Sequence, residues 1–494
     1  MTVAAAFART VARCPDRPFL AVLPETAHTY GIESGELTYG DAAAAIRRLR
    51  MQYEVAGYRA SHRVGLMLEN RPAFFLHWLA LNALGVAVVP LNPEQRPAEL
   101  EYLVQHSGIV LAVAAAPHVA GLRSVAGDLP VISDDTPPPP ATRRAGSDLP
   151  GCDTECALLY TSGTTGRPKG CVLSNDYYLR TGEWYAGIGG LCALQQGDRL
   201  LTPLPLTHVN AMAFSAMAMI LSGGTIIQLD RFHPRTWWAS VHESGATIVH
   251  YLGVMPSMLL GLAPHPHERG HKVRFGFGAG VDRRHHASFE ERCGFPLIEA
   301  WSMTETGAGG VVIVSREPRH IGTNCFGRPG PAVEVRLMDD GEMLVRAAGP
   351  DPRAGFFTEY LKDPEATRAA WEGRWFRTGD IVSADSDGYL YFRDRKKNII
   401  RRSGENISAM EVETLLRRHA AVAEVAVAPV PDELRGEEVL ACIVPSTVLA
   451  DPPAVATAIV RHALEELSYF KVPGWVVFVD ALPLTASQRS RGAR

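Results

Sequence analysis

From residue 38 onward the chain alternates two hydrophobic periods. Residues 39–54 carry apolar side chains at helical spacing, 63–68 read as a strand, 72–83 as a helix, 86–91 as a second buried strand and 97–105 as a helix. Strands separated by helices of this length predict parallel βαβ units. Residues 134–150, with four consecutive prolines from Pro137 to Pro140, can neither pair nor coil, and are expected to form a loose surface connection. A second α/β stretch follows from 160 to about 338, with strands at 225–229, 247–251 and 273–277; the apolar window 211–221 is expected to be a buried helix, too short to cross a bilayer. The grammar then changes. Short runs at 333–336 and 343–345 flank Asp339-Asp340-Gly341-Glu342, and 388–392 follow Asp385-Ser386-Asp387, as in antiparallel hairpins. After the charged knot Arg393-Asp394-Arg395-Lys396-Lys397, about a hundred residues alternate strand and helix as a compact α+β unit.

The expected fold class is therefore α/β: a large N-terminal domain, residues 1–393, of two α/β subdomains plus a small β subdomain, then a hinge at 394–397 and a mobile α+β C-terminal domain at 398–494. A cleft is expected between the two domains. A length of 494 residues fits two or more domains.

Composition narrows the class of partner. A net charge of −4 gives no basic footprint for nucleic acid and no polybasic membrane patch. The eight cysteines are scattered, without a Cys-x-x-Cys pair or histidines at zinc spacing, and are expected to be reduced, buried thiols of a cytoplasmic protein. The first seven residues lack the charged lead and apolar core of a signal peptide. These features point to small-molecule partners, with no nucleic acid and no membrane span; monomer and homodimer both stay open.

The chemistry concentrates in the stretch from Tyr160 to Gly170, Tyr-Thr-Ser-Gly-Thr-Thr-Gly-Arg-Pro-Lys-Gly, directly after the apolar run Ala157-Leu158-Leu159. Glycines permit close backbone approach, and hydroxyls, exposed N–H groups and a lysine supply donors and charge, so the stretch reads as a phosphate grip. It is not a Walker A loop: Lys169 stands only three residues after Gly166, no Ser/Thr follows it, and Gly170-Cys171-Val172-Leu173 reads as a strand.

Four further stretches extend the pattern. With the grip, Leu204-Pro205-Leu206-Thr207-His208, Trp301-Ser302-Met303-Thr304-Glu305-Thr306, Trp375-Phe376-Arg377-Thr378-Gly379-Asp380, and Asp394-Arg395 through Gly404-Glu405-Asn406-Ile407 resemble the ordered core motifs of the adenylate-forming (AMP-binding) superfamily. The run from Leu467 to Asp480 looks most like its acyl-CoA synthetase branch, including carnitine/crotonobetaine-type CoA ligases. The resemblance implies two half-reactions. A carboxylate attacks the α-phosphate of ATP to give an acyl-adenylate and pyrophosphate, then the thiol of CoA displaces AMP; the implied cofactors are ATP, Mg²⁺ and CoA.

On this resemblance Thr161, Ser162, Gly163, Thr164, Thr165, Gly166 and Lys169 hold the β- and γ-phosphates, Thr304 contacts the α-phosphate and Glu305 holds the metal. Asp380 accepts the ribose hydroxyls with Arg395 as partner, and Gly278, Ala279, Gly280, Trp301, Ser302 and Met303 line the nucleotide. His208 stands at the mouth of an acyl pocket drawn from residues 208–212, 251–253, Gly278 and Trp301, apolar in character, with Met212 and Tyr251 setting its shape. A lone histidine equally suits a structural position. Lys397 is the implied hinge, and Gly404 faces the thiol channel or is an ordinary hairpin glycine.

One departure stands out. The family's last motif ends in Gly-Lys, whereas this chain has Gln488-Arg489, and arginine is a planar fork on a longer stem. Three readings stay open: Arg489 performs the lysine's work, the site favours the second half-reaction, or the substrate is an anion suited to guanidinium. The alternative function is an enzyme that hands its activated acid or oxyanion to an amine, and a third is a catalytically silent nucleotide-binding protein. For CoA's 3′-phosphate, Arg401, Arg402, Arg435 and Lys471 are candidate cations, or else a solvated face.

Overall fold

The computed structural model describes residues 1–142, 146, 149–161, 167–395 and 399–482. Ser162, Gly163, Thr164, Thr165, Gly166, Lys397 and Arg489 lie outside the described residues. The chain divides into two compact units: Met1–Asn92, Val104–Leu159 and Gly170–Asp394 form the first, and Pro93–Leu103, Tyr160–Lys169 and Arg395–Arg494 the second.

Two βαβ sheets dominate the first unit. One has seven strands in the order Glu359–Tyr360, Lys169–Ser174, Glu155–Thr161, Ala87–Pro90, Arg63–Met67, Leu111–Ala114, Val131–Ser133. The pairs from Glu155–Thr161 to Val131–Ser133 are parallel, and Glu359–Tyr360 closes the other edge antiparallel to Lys169–Ser174. The other sheet has eight strands, in the order Val312–Ile313, Leu297–Trp301, Phe275–Ala279, Ile248–Leu252, Arg199–Thr202, Thr225–Gln228, Pro18–Val22, Gly35–Thr38.

This second sheet holds what the periodicity missed. The residues before 38 form a helix, Val3–Arg13, and a strand, Pro18–Val22, whose Leu20 lies opposite Ile226 some two hundred positions later. A pairing so distant leaves no local signature. It is cemented by Phe7, Phe19 and Tyr39, whose ring centroids lie 4.9 to 5.5 Å apart. The buried Tyr39 hydroxyl donates to the carbonyls of Met219 at 2.8 Å and Gly224 at 2.9 Å.

Two local expectations are corrected. The connection after residue 133 has no helix or strand among its described residues, but it is pinned: Ala141 N–H donates to Ala56 O at 2.7 Å and Gly146 N–H to Ala60 O at 3.0 Å. The apolar window 211–221 is not one regular helix. It opens as a π-helix, Asn210–Ser215, and continues as the α-helix Ala216–Ser222, ended by Gly223 in the left-handed region. A wide turn of this kind is costly in hydrogen-bond geometry and is commonly retained where a site needs it. Among the described residues no helix is long and apolar enough to cross a membrane.

The hairpin grammar produces an antiparallel sheet in the order Cys325–Gly327, Leu390–Arg395, Trp375–Ala384, Glu342–Ala347, Val333–Leu337, with Trp371–Glu372 on Trp375–Ala384. In the second unit, Glu405–Ser408, Ile399–Arg402, Gly436–Pro445 and Val422–Asp432 pair in that order, and Trp475–Phe478 adds to Gly436–Pro445. Helices Ala409–Leu416 and Pro452–Glu466 belong to the same unit, whose core includes Ile400, Ile407, Val412, Leu416, Val425, Ile443 and Ile459. All eight cysteines are unpaired thiols and only Cys152 is exposed; burial pushes the Cys156 thiol up to about 12.

Candidate functional site

Strand ends of the eight-stranded sheet carry the first group of site residues. Phe275–Ala279 delivers Gly278, Ala279 and Gly280 to one rim. The run must be glycine-rich because the neighbouring strand presses against it. A Cβ on Gly278 would lie 2.3 Å from Tyr251 O, and one on Gly253 only 1.6 Å from Gly280 O. The loop is braced from below by Glu299, on Leu297–Trp301. Its carboxylate accepts the N–H of Gly280 at 2.8 Å, the N–H of Val281 at 3.2 Å and the hydroxyl of Tyr251 at 2.8 Å. Sequence reasoning missed Glu299, although a lone carboxylate in Leu-Ile-Glu-Ala-Trp was the available signal, since buried carboxylates are rare without fixed donors. Tyr251, expected to shape the acyl pocket, is buried, and its hydroxyl also reaches Ile298 O at 3.2 Å.

The same sheet ends in Trp301, where the chain turns through Ser302, Met303, Thr304 and Glu305. Trp301 is buried, and its indole N–H donates to Asp380 Oδ2 at 2.8 Å. Asp380 is 2% exposed on the long strand Trp375–Ala384. Its own N–H donates to Thr378 Oγ1 at 3.0 Å, so both backbone and carboxylate are held. The preceding Gly379 has φ of +70°, a conformation that a side chain resists.

The Thr304-Glu305 turn is gripped from two sides. The buried Tyr177 hydroxyl donates to Thr304 O at 2.9 Å, and the Tyr360 hydroxyl to Glu305 Oε1 at 2.8 Å. Met303 N–H donates to Thr306 Oγ1 at 3.0 Å, closing the turn, while Ser302 Oγ donates weakly to backbone carbonyls within it. Glu305 is 6% exposed, and among the described residues its side chain is met by the Tyr360 hydroxyl and by no basic group. An ionised carboxylate in such a place lacks its usual compensation, so this donor set fits a hard divalent cation.

His208 closes the turn between Arg199–Thr202 and the π-helix, partly exposed. That turn is fixed by Asn70, which is buried. Its amide donates to Leu204 O and Leu229 O at 3.3 and 2.8 Å, and its Oδ1 accepts Leu206 N–H at 3.0 Å. Met212 is fully buried beneath the Tyr178 hydroxyl. A buried polar network lies nearby. His250, fully buried, lies with Nδ1 2.7 Å from Asn210 Oδ1 and 2.9 Å from Ser215 Oγ, and Nε2 2.9 Å from the Tyr185 hydroxyl. Because Asn210 Oδ1 can only accept, Nδ1 carries the proton and Nε2 accepts from Tyr185. Burial pushes His250 down to about 3, so it is neutral. Behind it Trp184, Tyr185, Phe214 and Phe277 pack ring to ring.

In the second unit Thr161 ends Glu155–Thr161 and Lys169 opens Lys169–Ser174. Between them Pro168 O accepts the Tyr102 hydroxyl at 3.0 Å, and the Arg167 guanidinium lies 5.2 Å from the Tyr102 ring centre. Arg395 ends Leu390–Arg395. Ser403 and Gly404, with φ of +51° and +91°, make the two-residue turn of the hairpin that pairs Arg402 with Glu405. Glycine at 404 is thus what a tight hairpin demands locally.

Two of the four candidate cations for CoA are structural instead. Arg402 is buried, donating to Phe470 O at 2.9 Å and Val472 O at 3.1 Å and pairing with Glu438. Lys471 is buried between Glu99 and Glu411, at 2.5 and 2.8 Å, and these carboxylates raise it against the opposing pull of burial. Arg435 pairs with Glu438 while half exposed, and Arg401 is exposed.

The first unit thus presents a braced glycine loop, an indole-anchored carboxylate and a buried carboxylate that pairs with no basic side chain among the described residues. Residues 7–350 match the AMP-binding enzyme family and residues 411–489 its AMP-binding enzyme C-terminal domain, and the chain belongs to the AMP-binding enzyme family. It is 33% identical to a sulfoacetate–CoA ligase of Cupriavidus necator, over 98% of this chain and 95% of that one. It is 29% identical to a crotonobetaine/carnitine–CoA ligase of Escherichia coli O8, over 91% of each. Among solved structures, a malonyl-CoA ligase in a ternary product complex with methylmalonyl-CoA and AMP superposes with a TM-score of 0.78 at 29% identity, over 95% of this chain and 97% of that one.

Proposed function

We propose that the chain is an AMP-forming acid–CoA ligase, activating a carboxylic acid with ATP as acyl-adenylate and passing the acyl group to the thiol of CoA. The observation that carries this is Glu305: buried, held by a tyrosine hydroxyl and paired with no basic side chain among the described residues. Glu305 would hold the Mg²⁺ that accompanies ATP, and that cation would supply positive charge against the phosphates. Asp380, its Oδ2 fixed by Trp301, accepts the ribose hydroxyls. The backbone of Gly278, Ala279 and Gly280 lies along the base, Thr304 contacts the α-phosphate, and Thr161, Lys169 and the glycine-rich run between them hold the β- and γ-phosphates. Arg395 assists at the sugar and Arg489 takes the place of the family's lysine, with Lys397 as the hinge between domains 1–393 and 398–494. CoA as acceptor is supported by the near full-length likeness to three CoA ligases.

A short acid is supported by the relatives, which are named for sulfoacetate, for crotonobetaine or carnitine, and for malonyl-CoA. The test is mass spectrometry of products formed from ATP, Mg²⁺, CoA and a panel of two- to six-carbon and aryl acids. An acyl-CoA and one AMP per turnover is expected for at least one short acid. AMP release indifferent to CoA, with amides formed when amines are supplied, would replace the thiol by an amine as acceptor.

A further inference from the structure

The proposed metal carboxylate is held by a side chain outside every motif that points to the reaction. Tyr360 lies on Glu359–Tyr360, the two-residue strand at the edge of the seven-stranded sheet, with Tyr360 opposite Cys171 and Glu359 opposite Val172. The backbone around it is fixed at every step. Phe357 N–H donates to Glu305 O, Thr358 N–H to Val172 O and Leu361 N–H to Gly170 O, each at 2.8 Å, and Tyr360 N–H donates to Thr367 Oγ1 at 2.9 Å. The Tyr360 ring packs on Phe357 with centroids 4.7 Å apart. A hydroxyl placed this rigidly defines where Glu305 Oε1 must sit.

The consequence follows from the inventory of a carboxylate. Two oxygens offer about four acceptor sites, and among the described residues only the Tyr360 hydroxyl donates to the Glu305 side chain, through Oε1. Oε2 has no donor among the described residues. We propose that Tyr360 is a positioning residue for the cation: by committing Oε1 it turns Oε2 of Glu305 toward the Mg²⁺ of Mg·ATP and holds it as a single-oxygen ligand. This rests on the reading of Glu305 as the metal carboxylate. Groups that orient a metal ligand in this way contribute roughly 10- to 100-fold to metal affinity. The Tyr177 hydroxyl provides an internal comparison, because it holds the same turn through the Thr304 carbonyl and touches no carboxylate oxygen.

The experiment measures Mn²⁺ binding, without turnover, by electron paramagnetic resonance of the free ion in the presence of saturating α,β-methylene-ATP. Tyr360→Phe keeps the ring packing and removes only the hydroxyl; Tyr177→Phe and Glu305→Gln are run beside it, with circular dichroism and thermal melts to show folded protein. Expected are a roughly 10-fold or greater loss of Mn²⁺ affinity in Tyr360→Phe, a larger loss in Glu305→Gln, and less than a threefold change in Tyr177→Phe. The half-saturating Mg²⁺ for acid-dependent pyrophosphate exchange should shift in parallel, with the maximal rate largely recovered at high Mg²⁺. Wild-type Mn²⁺ affinity in Tyr360→Phe, with Glu305→Gln impaired, overturns the role of Tyr360 alone. An equal loss in Tyr177→Phe overturns it too, since the effect would then be loosening of the turn. Unchanged affinity in Glu305→Gln removes the metal reading on which the proposal stands. If Tyr360→Phe melts unfolded, Tyr360→Trp, which keeps an aromatic ring but puts no hydroxyl at Glu305, must show the same Mn²⁺ loss for the proposal to survive.

Discussion

Replacing Glu299 by glutamine exchanges one carboxylate oxygen for an NH₂ group and should change nucleotide binding substantially. The three donors that converge on Glu299 are divided: Oε1 takes the Tyr251 hydroxyl and Val281 N–H, and Oε2 takes Gly280 N–H. A glutamine that keeps its carbonyl on the Oε1 side retains two acceptances but aims an NH₂ group at Gly280 N–H. A flipped amide loses two bonds instead of one. The better arrangement therefore gives up one charge-assisted hydrogen bond, about 1.5–3 kcal/mol, and leaves a donor facing a donor, about 1–3 kcal/mol more. If half of this is expressed as displacement of the 278–280 backbone in the nucleotide site, ATP affinity falls by roughly 10- to 100-fold, at 1.4 kcal/mol per tenfold. Equilibrium ATP binding by calorimetry reads it, with thermal melts reporting the remainder as a lowered transition. Tyr251→Phe is the control: it removes one donor and leaves both backbone N–H groups on the carboxylate, so it should cost about 1 kcal/mol of stability and change ATP affinity less than threefold. Wild-type ATP binding in Glu299→Gln would refute the reasoning, because either the loop does not meet the base or Glu299 does not hold it there.

Other outcomes follow from the same geometry. Trp301→Phe keeps an aromatic face but removes the donor to Asp380, so the KM for ATP should rise roughly 10-fold or more, in line with loss of a hydrogen bond to a charged group, and a KM equal to wild type would show that Asp380 needs no such anchor. His250 is held neutral to about pH 3 against the ordinary 6.5. The unfolded chain therefore takes up a proton that the folded chain refuses, and stability, full above pH 6.5, is lost as pH falls through that window at about 1.4 kcal/mol per pH unit. Urea titrations at pH 7.5, 6 and 5 should show a shallower decline in His250→Gln than in wild type; parallel declines would contradict the assignment. Arg489→Ala should abolish pyrophosphate exchange while sparing CoA transfer from a supplied acyl-adenylate, and retained exchange would show that Arg489 does not stand in for the lysine.

The family was legible in the sequence because its motifs are residue types in a fixed order, and the chain belongs to the AMP-binding enzyme family. The roles proposed for Trp301, Glu305 and Asp380 came with that resemblance. The parallel sheets were legible because buried strands and amphipathic helices announce their periods. What stayed hidden depends on contacts between distant residues. Pro18–Val22 gains its place only through Thr225–Gln228, and Tyr360, Tyr177 and Asn70 become informative once the turns they hold are known. Lys471 and Arg402 show the reverse error. As isolated cations they read as surface charge, yet both are buried counter-ions of glutamates, which only the fold brings beside them.

The most direct test of the whole account is acid-dependent exchange of labelled pyrophosphate into ATP by the wild-type chain, beside Glu305→Gln and Asp380→Asn. The account predicts exchange that requires Mg²⁺ and a short carboxylic acid and falls by at least 100-fold in both variants. Exchange that proceeds equally well in Glu305→Gln, or none with any acid that the panel offers, would contradict it.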